Sequence, residues 1–93
     1  MSMDVAEIAG RLTTASRRAL VRIHPTGWSD EGGSGPARKD AYSLWWGRDG
    51  KFGLVMSPQP YAWTGSGCKF RFALTLLGQK VRAHLLNQDT DHD

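Results

Sequence analysis

Few of the 93 residues have the types and spacing that covalent or metal chemistry needs. Cys68 is the only cysteine, and no helix start stands obviously beside it to lower its pKa. His24, His84 and His92 are too scattered for a zinc-ligand spacing. No serine sits in a Gly-x-Ser-x-Gly elbow. Gly65-Ser66-Gly67 is too short for a phosphate loop, and no Gly-Lys-Ser/Thr follows it. Asp30 and Glu31 could act as an acid and base pair, but their Gly- and Ser-rich surroundings offer no burial to separate their pKa values. The expectation is a protein that binds, with no catalytic residues, no metal and no cofactor.

What it binds is suggested by charge. All twelve Lys and Arg residues lie between Arg11 and Arg82, where the only acids are Asp30, Glu31, Asp40 and Asp49. Twelve bases against four acids leave the body at +8, while five further acids, Asp4, Glu7, Asp89, Asp91 and Asp93, sit at the ends. A basic body attracts polyanions, nucleic acid first among them; the plain alternative is a soluble protein with scattered surface bases. Four tryptophans is a large number for so short a chain. Since each ring buries on the order of 200 Å², two or three of them are expected in the core. Tyr61 and Trp63 fall in the Pro- and Gly-punctuated stretch 58–67, where aromatics either stack on bases, anchor a protein interface or cover the core edge.

The chain has room for one domain, 1–93, around one core. A single cysteine forms no internal disulfide, no apolar run is long enough to span a bilayer, and Met1-Ser2-Met3-Asp4 lacks a basic region followed by an apolar stretch. A cytoplasmic protein without membrane contact is the expectation.

The elements that must position these residues follow from periodicity. Val5, Ile8, Ala9 and Leu12 share a helical face behind Asp4, with Glu7 placed as in a capping box. Thr13 or Thr14 caps a second helix running to about His24, with Ala15, Ala19, Leu20 and Ile23 inward and Arg17, Arg18 and Arg22 outward; Pro25 and Gly27 end it. Residues 29–36 form a flexible loop by composition. Residues 37–46 read as a helix with Ala37, Ala41, Leu44 and Trp45 on one face, or as a strand with Tyr42, Leu44 and Trp46 alternating; both readings stay open. Asp49-Gly50 followed by Phe52, Leu54 and Met56 predicts a turn and a strand over 52–57, stopped by Pro58 and Pro60. Thr64-Gly-Ser-Gly67 reads as a loop tip. A strand over 69–75 follows, with Phe70, Phe72 and Leu74 on one face and Arg71 on the other. Thr75 caps a last helix lined by Leu77, Val81 and Leu85, with Lys80, Arg82 and His84 off that line, and the acidic tail 88–93 frays.

The order Gly53-Leu54-Val55, a polar loop, then Phe72-Ala73-Leu74-Thr75-Leu76-Leu77-Gly78 resembles the wing of the small MarR-like and phage-type winged-helix domains of bacteria. Leu12-Thr13-Thr14-Ala15-Ser16-Arg17-Arg18-Ala19-Leu20 resembles their opening helix. The resemblance lies mainly over residues 53–86. It implies an α+β, winged-helix-like domain with N-terminal helices, a β-hairpin wing and a C-terminal helix. It also implies regulatory binding of double-stranded DNA in a bacterial or phage setting. Two departures concern the reading unit: loop 29–36 stands where the first helix of a helix-turn-helix would sit, and the recognition position 37–49 contains Gly47. If 37–46 is the recognition helix, Arg38, Lys39, Tyr42, Ser43 and Trp46 face away from the core, and Lys69 and Arg71 on the wing reach backbone phosphates. The rival expectation is a protein-binding module, such as a phage-encoded inhibitor of a nucleic-acid-binding protein. It would use Tyr61, Trp63 and Trp46 on its partner.

Overall fold

The computed structural model describes residues 4–65 and 67–90, with side chains through 87. Asp4 opens α1 (Val5–Arg11), its carboxylate accepting from the amides of Ala6 and Glu7. Only this half of the capping box forms, because the Glu7 carboxylate pairs with Arg11 one turn on, at 3.2 Å. Thr13 caps α2 (Thr14–Arg22) by accepting from the Ser16 amide. This helix ends short of His24: Pro25 disfavours helical backbone at the residue before it, and the chain is already extended at Ile23.

The expected loop 29–36 is partly a strand. Ser29–Asp30 form β1, paired with Phe72 and Arg71. The Glu31 amide extends that pairing to the Phe70 carbonyl, and Gly32 and Pro36 close a turn through a 2.9 Å hydrogen bond. Gly35 and Pro36 are buried, and only 32–34 form an exposed tip.

Residues 37–46 take the helical reading. α3 (Arg38–Trp45) buries Asp40, Ala41 and Leu44. Asp49-Gly50, expected to turn a hairpin, instead lies inside a 3-10 segment, Arg48–Phe52, closed by Gly53 in the left-handed region at φ +67°. The reason is a competing partner. The Asp49 carboxylate is fully buried under the start of α2, accepting from the Thr13 amide, the Thr13 hydroxyl and the Ser16 hydroxyl. The expected strand 52–57 shrinks accordingly to one bridge, Val55 with Leu74, flanked by hydrogen bonds from Met56 to Ala73 and from Thr75 to Leu54.

The wing therefore lies further along the chain. β2 (Gln59–Thr64) and β3 (Gly67–Phe72) form its hairpin, so the stretch read as loop 58–67 is largely a strand. Pro60 does not stop β2 because β2 is an edge strand of the antiparallel order β1-β3-β2, where a missing N–H costs no ladder bond. The register shifts between Pro60 and Ala62, leaving Tyr61 as the extra residue of a bulge.

Thr75 ties β3 to α4 (Leu76–Thr90): its hydroxyl accepts from the Gly78 amide and donates to the Gly53 carbonyl. The Leu-Thr-x-x-Gly pattern has a steric basis here. A Cβ at Gly78 would overlap the Leu54 carbonyl oxygen, so glycine is what lets α4 cross the chain at Leu54. Helix α4 continues to Thr90, past the point where fraying was expected; Asp91, His92 and Asp93 lie outside the described residues.

Helix α1 packs on α4, and α2 packs on both α3 and α4. Leu20, Ile23, Leu44, Leu54, Phe72 and Val81 are fully enclosed between them. The tryptophans depart from expectation. None is buried: Trp45 is half-buried against the core, and Trp28, Trp46 and Trp63 are exposed. The core space is taken by aliphatics and Phe72, which leave no polar ring atom to satisfy. The architecture is α+β, with a layout consistent with a winged helix, but between β1 and the wing only α3 and the 3-10 segment stand where a helix-turn-helix places two helices. Among the described residues, no helix is long and apolar enough to cross a membrane.

Candidate functional site

Helix α3 and the wing enclose a groove of about 770 Å³, lined by Lys39, Tyr42, Ser43, Trp45, Trp46, Gly47, Pro58 and Phe70. Sequence reasoning placed Lys39, Tyr42, Ser43 and Trp46 together, and they do meet here. Trp46 is 73% exposed and stands edge-on to Trp45, with ring centroids 5.0 Å apart. Pro58 and Phe70 were not singled out, and nothing local in the sequence marks them; only the fold of the wing brings them opposite α3.

Ser43 does not face away from the protein. Its hydroxyl lies 2.7 Å from that of Ser16 and 3.3 Å from that of Thr13, in the polar cluster that Asp49 completes. That cluster fixes the end of α3 to the start of α2. Thr13 and Ser16 are separated from Ser43 and Asp49 by about thirty residues, so no spacing rule pairs them.

Arg38 is likewise not a free contact. Its guanidinium holds the Glu31 carboxylate in two hydrogen bonds of 2.9 Å, reaches the Cys68 carbonyl, and lies 6.0 Å from the centre of the Phe70 ring. It thus staples the 31–36 turn and the wing to α3. Burial alone would raise the Glu31 pKa. The Arg38 and Phe70 hydrogen bonds, with the charges of Arg38 and Lys69, overcome it and hold the carboxyl below its ordinary value. Asp40 is also lowered, first by its hydrogen bond from Arg18 at 2.8 Å.

The register divides the wing residues between two faces, because directly paired residues of an antiparallel ladder point the same way. Trp63 pairs with Cys68 and Pro60 with Phe70, so Trp63 shares the face of Phe70 and the groove. Lys69 and Arg71 alternate to the opposite face. There Arg71 lies 3.5 Å from the Asp30 carboxylate and stacks 4.9 Å from the Tyr61 ring centre. Tyr61 is half-buried, and its hydroxyl is raised in pKa by burial and then by Asp30 and Glu31. Each of the two expected contact sets is thereby split. Lys69 and Arg71 stand apart from the α3 residues, and Tyr61 stands apart from Trp46 and Trp63.

Electrostatics sharpen the contrast between the signs of charge. Asp30, Glu31 and Asp40 are in ion pairs and Asp49 is buried. Of the twelve bases, Arg11, Arg18, Arg38 and Arg71 are in ion pairs. Arg17, Arg22, Lys39, Arg48, Lys51, Lys69, Lys80 and Arg82 form none among the described residues. No group of three or more His, Cys, Asp or Glu gathers to hold a metal ion among the described residues. No family model, curated protein or solved structure matches the chain.

Proposed function

We propose that this protein binds nucleic acid through α3 and the wing, with contacts on both faces of the wing. The observation that carries the reading is the imbalance just described: the acids of the basic body are spent on internal partners, while bases on the same body keep their charge for an external one. Of the four bases expected as contacts, Lys39 beside the groove and Lys69 on the opposite face of the wing are exposed and outside ion pairs among the described residues. They serve as phosphate contacts, whereas Arg38 and Arg71 act chiefly as internal ties. The winged-helix-like layout supports the same reading, and DNA in a bacterial or phage regulator is the setting that the resemblance implies.

A titration of fluorescently labelled DNA against salt tests it. Affinity should fall steeply as salt rises, by roughly 0.9 in log K per phosphate contact for each tenfold rise in salt on duplex and about 0.7 on single strand. Lys39→Ala and Lys69→Ala should each weaken binding to all sequences and flatten the slope by about one contact. No binding at about 50 mM salt and tens of micromolar protein would reject the reading, since even non-specific affinities lie at about 1–100 µM at physiological salt.

One observation favours a protein partner instead: Trp46 and Trp63, on the groove side, are 73% and 81% exposed, and aromatic anchors of this kind dominate protein interfaces. In that case DNA affinity would be negligible, and Trp46→Ala or Trp63→Ala would abolish capture of the protein.

A further inference from the structure

We infer that the groove between α3 and the wing takes unpaired nucleobases, so that the preferred ligand is single-stranded nucleic acid rather than intact duplex. The inference rests on the nucleic-acid reading above and narrows it.

The groove side of α3 is poorly equipped to read a duplex. Reading a duplex from the major groove needs free donors and acceptors on an exposed helix face. Here α3 has eight residues, about 12 Å of helix. Its one guanidinium fork on this side, Arg38, is occupied by Glu31 and the Cys68 carbonyl. The Ser43 hydroxyl is turned into the polar cluster with Ser16. Of the outward polar groups expected at this face, Lys39 keeps its charge unpaired among the described residues, and an ammonium contacts phosphate as a point charge without reading bases.

The groove itself offers aromatic faces. Tyr42, Trp45, Trp46 and Phe70 line it, and Trp63 continues the same side along the wing. A volume of about 770 Å³ lies in the range that admits a small organic ligand, ample for a nucleotide. Flat rings attract bases by stacking, but only bases whose faces are free; in a duplex those faces are covered by neighbouring pairs. Lys39 stands in the groove lining beside the rings and supplies the opposite charge for the backbone of the stacked strand. An aromatic platform beside a cation is the feature by which single strands are held without sequence preference.

The test compares a mixed-sequence single-stranded 20-mer with the same strand in duplex, by fluorescence anisotropy at one salt concentration. The single strand should bind more tightly and quench tryptophan emission. Trp46→Ala, at an exposed position, should weaken single-strand binding by about 5- to 150-fold. Trp46→Phe, which keeps a ring, should retain most of the affinity. Equal affinity for both forms, unaffected by Trp46→Ala, would overturn the inference while leaving the nucleic-acid reading standing. A single-strand preference that survives Trp46→Ala would also overturn it, because the bases would then stack elsewhere. Binding to neither form would remove the inference and the reading together.

Discussion

Replacing Gly78 by alanine isolates the steric condition on which the C-terminal half is assembled. Inside a helix this change ordinarily stabilises by about 1 kcal/mol, because alanine has the better helix propensity. Gly78 lies in the first turn of α4, where a Cβ would overlap the carbonyl oxygen of Leu54. That carbonyl also accepts the Thr75 amide at 3.1 Å, and Leu54 is fully enclosed in the core. Neither side is a flexible side-chain tip, so relief requires α4 to shift. Overpacking of this kind costs about 1–3 kcal/mol, and loosening the Thr75 bond costs about 1 kcal/mol more. Against the gain in propensity, the net loss should be about 1–3 kcal/mol. For a domain of this size that lowers Tm by roughly 5–20 °C. Gly10→Ala in α1 is the control, since a Cβ there meets nothing within 4 Å. It should stabilise by about 0.5–1 kcal/mol. Urea titrations followed by tryptophan emission measure both, with an unchanged m-value confirming that the native fold is compared in each case. If Gly78→Ala is as stable as the parent, or gains as Gly10→Ala does, the close crossing of α4 over Leu54 is refuted.

Within the 31–36 turn, position should matter more than composition. A Gly-Ser insertion between Gly33 and Ser34, at the exposed tip, should cost less than about 1 kcal/mol, because closure entropy grows slowly with loop length. Gly35→Ala should cost about 1–3 kcal/mol, since its Cβ would overlap the Asp30 carbonyl oxygen; equal urea midpoints for the two changes would contradict this. The carboxyls of Glu31 and Asp40 titrate below their ordinary values in the folded protein. Their stabilisation is therefore present at neutral pH and lost as pH falls below about 4 and through the folded values. The urea midpoint should drop on acidification, and Glu31→Gln should reduce that dependence; identical acid profiles for parent and variant would count against the Glu31–Arg38 tie.

Local chemistry was legible in the sequence wherever cause and effect lie within one turn of chain. Asp4 and Thr13 accept from amides two or three residues on, and Thr75 accepts from Gly78, so the starts of α1 and α4 could be read directly and that of α2 to within one residue, whereas α3 starts after Ala37 without a side-chain cap. The inward stripe Ala19, Leu20 and Ile23 and the line Val81 and Leu85 followed from helical period alone. The overall charge of the body was equally a matter of composition. Decisions between distant residues belonged to the tertiary structure. Asp49-Gly50 has the local chemistry of a hairpin turn, and it became a 3-10 segment because the Asp49 carboxylate found Thr13 and Ser16 across the fold. Pro58 and Pro60 read as strand breakers, and Pro60 was tolerated because β2 became the edge of the sheet. Arg38 and Ser43 lost their outward roles to Glu31 and Ser16. The register of β2 on β3 put Trp63 with the groove and Lys69 on the other side. Hydrogen-bond competition and strand register are settled by which partner is nearest in space, and sequence separation carries no record of that distance.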